Sequence, residues 1–314
     1  MQYRTLYPEG NFYSGNLHTH STLSDGQSTP EEIAAYYRDV VGLDFLAITD
    51  HNYFKAHPEL SSENFLMIPG VELNTIPTEE DHADHHVVGF AVEGECDLPD
   101  GTRYSHEFNC AATCQSLVDE LTSHGMLTIF AHPFWSGTTI DEGAKLRNVT
   151  GMEILNYACE GECGDGYSEP YYEAALLAGS RLWAFATDDA HQLSPDDCGG
   201  HITVRCPSLT NRDITQAIRD GSFYASEGPE IYDFYVEDGK VHLSCSPVHR
   251  IVLRGWRPMG SWNAEPGKTL DGLEAKLPPF EGWRVWKDTP CFVRAILTDD
   301  RGRKAWSQPI FYKG

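Results

Sequence analysis

Between about residues 15 and 225, short apolar runs alternate with segments that carry the period of amphipathic helices. This alternation limits the fold more than any other feature of the chain. Strands joined through helical crossovers must lie mainly parallel, in a sheet that is either open or closed into a barrel. The first unit shows the pattern well. Thr29 is placed to cap a helix, Pro30 fits its first position, and Glu32 can complete a capping box. Ile33, Ala34, Tyr37, Val40 and Val41 then form a helical stripe that Gly42 ends. The next run, LDFLAIT (43–49), is apolar enough for a strand buried on both faces. Further strand-like runs fall at 65–73, 86–92, 126–131, 151–156 and 181–187, and helix-like runs at 111–124, 170–178 and 210–220.

After about residue 226 the period changes. Strand-like runs at 230–237, 240–245, 249–254, 291–297 and 305–312 follow one another with no helix between them. Glu237-Asp238-Gly239-Lys240 has the composition of a tight hairpin turn. A chain of 314 residues has room for two cores. The expected division is an α/β unit over 1–226 and a small all-β, sandwich-like unit over 227–314. Five of the seven tryptophans (Trp256, Trp262, Trp283, Trp286 and Trp306) lie in the second unit, where core and domain contact are the expected roles.

A net charge of −24 argues against a broad nucleic-acid-binding face, which would need a basic surface. It leaves an anionic substrate open, because bound metal ions reverse a local field. No apolar run reaches the ~18 residues of a membrane span, and MQYRTLYPEGNFYSG lacks the apolar core of a signal peptide. A soluble, cytoplasmic protein is expected, with no membrane partner. The nine cysteines form no CxxC pair, and reduced thiols are the expected state. Nothing in the sequence speaks to oligomeric state.

The polar residues at the strand ends carry the chemistry. His18, His20 and Asp25 follow the first strand, Asp50 and His51 follow LDFLAIT, and Glu72 closes the run at 65–73. His132 follows MLTIFA, and Asp188, Asp189 and His191 follow RLWAFAT, while His86 opens its strand. In an extended segment His18 and His20 point to the same side, so their imidazoles can share one ion. Parallel α/β folds gather ligands at the carboxyl ends of strands. So many ligand-type residues placed this way point to one multinuclear metal site. No GxSxG, Walker A or GxGxxG motif offers a different chemistry.

Taken in order, these motifs resemble the PHP (polymerase and histidinol phosphatase) family. They are His18-Thr-His20 with Ser24-Asp25-Gly26, Thr49-Asp50-His51, Pro69-Gly70-Val71-Glu72, His86-Val-Val-Gly89, Ala131-His132-Pro133 and Asp189-Ala-His191. The match covers roughly residues 13 to 225, and the tail with FYASEGPEI is similar to the CehA/McbA-type branch, which includes a carbamate-ester hydrolase. The resemblance implies a distorted seven-stranded (βα) barrel holding two to three divalent ions (Zn, Mn or Fe). By the same resemblance His18, His20, Glu72 and Asp189 hold one ion. Glu72, His86 and His132 hold a second, with Glu72 bridging, and Asp25, His51 and His191 hold a third.

His85 is a rival to His86 for the second ion, and the HxxG match favours His86. Asn16 stands where the family often has an aspartate, a change expected to affect how His18 is oriented. Asp50 is expected to orient an imidazole, and Trp135 to line the pocket or simply pack. Water held by such ions ionises near neutrality, so the implied activity is hydrolysis of a small phosphomonoester or phosphodiester. His51, His191 and Asp25 are the residues expected to act in catalysis. The alternatives are a carboxyl or carbamate ester substrate on the same centre, or a weakly catalytic, metal-stabilised module.

Overall fold

The structure is a computed structural model, and it describes residues 2–194, 198–256, 258–277 and 291–312. Trp283 and Trp286 lie outside the described residues.

Local signals act where they stand in the sequence. The Thr29 hydroxyl accepts from the Glu32 amide, and the Glu32 carboxylate accepts from the Thr29 amide, closing the capping box at helix Pro30–Tyr36. The helix then widens into a π-turn over Tyr37–Val41, ended by Gly42 at a φ of 84°. That turn buries Tyr37, whose hydroxyl reaches Asn16 and Asp188 beneath the metal-ligand cluster.

The apolar runs are less simple. Of LDFLAIT, only Phe45–Leu46 joins a ladder, although Phe45 through Ile48 are all buried. The run at 65–73 splits into strands Leu66–Met67 and Gly70–Asn74. Pro69 stands in the gap, where it has no amide hydrogen to donate. The chain changes sheet at that point.

One sheet has ten strands, and the main path through it begins at Pro258–Asn263 and runs through Arg250–Gly255, Phe292–Thr298, Lys304–Ser307 and Phe223–Ser226. It continues through His201–Cys206, Asn11–Asn16 and Phe45–Leu46 to Leu66–Met67. A second sheet has five strands, Gly70–Asn74, His86–Ala91, Met126–Phe130, Gly151–Asn156 and Trp183–Thr187. The expectation of a mainly parallel, closed (βα) barrel is corrected here. Among the described residues the two sheets form no closed barrel. His86–Ala91 runs antiparallel to both its neighbours, and His201–Cys206 runs antiparallel to Asn11–Asn16. The link from Asn74 to His86 contains no helix, and a parallel return needs a longer crossover. Isolated bridges at Thr19–Ala190 and His51–Glu72 bring the two sheets together where their ladders stop.

A four-stranded sheet joins the N-terminal strand Gln2–Arg4 to Ile231–Glu237, Lys240–Val248 and Leu270–Lys276 of the tail. Its Phe234, Val236, Val241 and Leu243 share one apolar core with Ile251, Leu253, Val293 and Leu297 of the larger sheet. Trp262 packs against that core, whereas Trp306 is fully buried among the α/β residues. The architecture is therefore mixed α/β with an all-β part. The larger sheet passes from one into the other where Lys304–Ser307 lies beside Phe223–Ser226.

Candidate metal centre

His18 and His20 leave the end of strand Asn11–Asn16 in an extended path. Thr19 points away between them, its amide bonded to the Thr49 hydroxyl and its own hydroxyl to the Ala190 carbonyl. The two imidazoles therefore turn the same way, with their Nε2 atoms 3.2 Å apart. The Asp189 amide donates to the His18 carbonyl and the His20 amide to the Ala190 carbonyl, which sets Asp189 against both rings. Its Oδ1 lies 3.1 Å from His18 Nε2 and 2.9 Å from His20 Nε2.

Glu72 comes to the same point from the second sheet. The Asn52 amide donates to the Glu72 carbonyl, which holds His51 alongside, and His86 lies across the hairpin from Asn74. The Glu72 carboxylate, fully buried, lies 3.1 Å from His18, 3.2 Å from His20, 3.0 Å from His51 and 2.9 Å from His86. The Ala131 amide donates to the His86 carbonyl, which brings His132 to 3.4 Å from Glu72 and 3.7 Å from Asp189. Asp25 sits at the open edge, its side chain 57% exposed, 3.4 Å from His191 and 3.6 Å from His51. His20 stacks between His51 and His191, each ring 4.4 Å away.

Among the described residues the ligand atoms form three sets, each with its members within 4.8 Å of one another. One is His18, His20, Glu72 and Asp189. Another is His51, Glu72 and His86, and the third is His20, Asp25, His51 and His191. Glu72 belongs to two of them. A cleft of about 260 Å³ opens over these residues, with Trp135, Cys159 and Glu162 in its wall.

The donor set fits divalent cations. Glu72 Oε2, Asp189 Oδ1 and His51 Nδ1 are buried without a hydrogen bond, in positions where leaving them unpaired is costly. Two Nε2 atoms at 3.2 Å, both turned toward carboxylates, are the arrangement a shared cation satisfies. Without a cation, protons must do the same work. Burial opposes a proton on His20, yet Asp189 and Glu72 outweigh it and raise its pKa to about 9. Burial likewise opposes protonation of His86, and Glu72 with Asp84 raises it to about 10. Burial pushes the Glu72 carboxyl upward, but the surrounding imidazoles hold it well below the usual carboxylate range.

No protein-family model matches the sequence, and no curated protein matches it. A solved crystal structure does. It is described as a two-domain protein containing a predicted PHP-like metal-dependent phosphoesterase from Bacteroides vulgatus. The two share 16% identity over 95% of each chain, with a TM-score of 0.50. This chain has the two-domain PHP-like fold. At that identity the likeness concerns the fold, and the chemistry must come from the residues.

Within this PHP-like fold six of the nine sequence-expected ligand residues line one cleft, and His18, His20 and Glu72 lie buried against them. Their grouping differs from the expected one in three ways. His132 stands between Glu72 and Asp189, His51 joins Glu72 and His86 as well as the outer set, and His20 also reaches that outer set of Asp25, His51 and His191. His85 turns away, bonded to Thr138 and Asp81. Asp50 orients no imidazole directly. It accepts from the Ser21 amide and hydroxyl and from the Ser24 hydroxyl, which tightens the loop carrying Asp25. Asn16 holds the His18 backbone rather than its ring.

Sequence reasoning missed the residue that does hold the ring. Glu153 is fully buried, and its Oε1 lies 2.7 Å from His18 Nδ1 and accepts from the Thr187 hydroxyl. Its Oε2 accepts from the His132 amide and the Asn156 side chain. The available signal was a single acid inside the apolar run GMEILN. A second feature is conformational. His132 and Asp189 have positive φ angles of 25° and 56°, a region that suits glycine.

Proposed function

We propose that this chain is a metal-dependent ester hydrolase, and foremost a phosphodiesterase. The convergence of Glu72 and Asp189, each with an unpaired buried oxygen, on the imidazoles of an open cleft carries this reading. In it, His18, His20, Glu72, His86, His132 and Asp189 hold the inner ions, and Asp25, His51 and His191 hold an outer one. When bound, divalent ions supply Lewis acidity, bring the pKa of a water toward ~7 and offset phosphoryl charge.

The chain's own residues have distinct parts. Glu72 is shared between sets and keeps them together. Glu153 fixes the His18 ring, so its Nε2 faces the cleft. Trp135 meets His86 and His132 edge-on, with ring centroids at 5.7 and 4.8 Å, and walls off one side. Burial opposes protonation of His191, but Asp25 outweighs it and raises its pKa, which suits His191 to carry a proton for the leaving group.

The charge of the cleft narrows the substrate. Among the described residues no lysine or arginine lines it. Asp25, Glu72, Asp84, Glu153, Glu162 and Asp189 all lie in it or directly behind its ligands. Three divalent ions would do no more than balance these six carboxylates. A dianionic monoester is therefore poorly matched, and a monoanionic diester better. The same observation favours a second reading, an uncharged carboxyl or carbamate ester.

A hydrolysis panel with Mn²⁺ or Zn²⁺ tests the proposal. Bis(p-nitrophenyl) phosphate should be cleaved faster than p-nitrophenyl phosphate. A faster neutral p-nitrophenyl ester would support the second reading, and no metal-stimulated cleavage of any of them would reject both.

A further inference from the structure

Away from the cleft, helix Glu169–Leu177 faces strands Arg250–Gly255 and Phe292–Thr298 across a cavity of about 560 Å³. The strands are antiparallel, with Arg250 opposite Thr298, Val252 opposite Ile296, and Arg254 opposite Arg294. These six share one face, because their neighbours Ile251, Leu253, Val293, Ala295 and Leu297 point into the tail core.

The charges there are unusual for so acidic a chain. Arg254 and Arg294 stand directly across from each other, a pairing that ordinarily destabilises a sheet. Among the described residues Glu173 alone serves both, at 2.8 Å from Arg294 and 3.5 Å from Arg254. Arg294 is 1% exposed, and its Nε and Nη1 have no hydrogen-bond acceptor among the described residues. A buried guanidinium compensated by half a carboxylate is a costly arrangement unless more negative charge arrives. At the other end Lys304 reaches Glu169, whose second oxygen is taken by the Trp306 indole. Arg250 bonds only the Ser261 hydroxyl among the described residues. Two cationic ends are thus separated by an apolar middle of Val252, Ile296 and Leu177. Four residues of strand put Arg250 and Arg254 roughly 13 Å apart.

We propose that this cavity binds a small molecule with an oxyanion group at each end of an apolar body. One end meets Arg250 and Lys304. The other meets Arg254, with Arg294 beneath it adding charge from the floor.

Calorimetry on the metal-loaded full chain tests this with decanedioate, whose carboxylates are spaced to match. The expected result is a dissociation constant below about 1 mM, weakened about tenfold or more by Arg250→Gln and by Arg254→Gln. Decanoate and inorganic phosphate, each engaging one end, should bind at least tenfold more weakly. Circular dichroism confirms that the variants fold, and Arg250, at the surface, carries the test if Arg254→Gln does not. His51→Asn, which alters the metal centre, should leave decanedioate binding unchanged. No binding, binding insensitive to both arginine substitutions, phosphate binding as tightly as the diacid, or loss of binding in His51→Asn would each overturn the proposal.

Discussion

His18 Nδ1 lies 2.7 Å from Glu153 Oε1, and both side chains are completely buried. All four partners of the Glu153 carboxylate can donate to it: the His18 ring, the Thr187 hydroxyl, the His132 amide and the Asn156 side chain. An amide in its place would set an NH₂ against donors. Glu153→Gln should therefore weaken metal binding about 10- to 100-fold, the range expected when an outer partner of a metal-bound imidazole is lost. Competition with a chromophoric chelator measures this without reference to activity.

Metal loading should release protons. His20 and His86, raised to about 9 and about 10 by the neighbouring carboxylates against the pull of burial, carry protons at pH 7.5 that a cation must displace. Against the same pull of burial, Asp189, Glu72 and Glu153 raise His18 well above the ordinary histidine range. Apparent affinity should rise with pH until about 9 to 10, and calorimetry in buffers of different ionisation enthalpy should show net proton release. In chelated protein the sign is opposite. These raised pKa values contribute stability that is complete below the ordinary histidine pKa of 6.5 and is lost as pH climbs through about 9 to 10.

Glu72 and Asp25 should separate by role. Glu72→Ala removes the carboxylate shared by two ligand sets, so metal content and activity should fall together. Asp25→Ala touches only the outer set and should leave inner ions bound. Its cost on a phosphodiester is expected at ~10²–10³ in kcat/KM, with a much smaller effect on an uncharged ester. Elemental analysis and kinetics on the same samples check both.

The proposed division after residue 226 also has a test. Strand Phe223–Ser226 pairs with Lys304–Ser307, and the Glu227 carboxylate accepts from the Tyr167 hydroxyl and the Lys304 amide. A chain cut to residues 1–226 would expose that strand edge together with the surface that buries Trp306. It should aggregate or melt at least several degrees lower. Light scattering and thermal denaturation would show it, and an equally stable monomer would mean that the two parts are independent.

What could be read from the sequence was local. The capping box at Thr29, the run at 151–156 and the convergence of His18 with His20 depend on neighbours a few residues away, and they stand as expected. The direction of His86–Ala91 depends on partners on both sides of it, which no periodicity encodes. Glu153 was hidden because its strand is otherwise apolar, and a buried acid looks like an exception until its four donors are seen. Asp50 was legible as a partner of the site, but its route through Ser21 and Ser24 was not, since serines carry no metal-ligand signal.

The positive φ angles at His132 and Asp189 have a consequence for anyone engineering this chain. A residue other than glycine held there costs on the order of 1–3 kcal/mol, which glycine would recover. Glycine would also empty a buried site and, at Asp189, strip away the carboxylate that keeps a proton on His20. Alanine should be the costlier replacement at both positions, because it loses the same contacts and keeps the strained backbone.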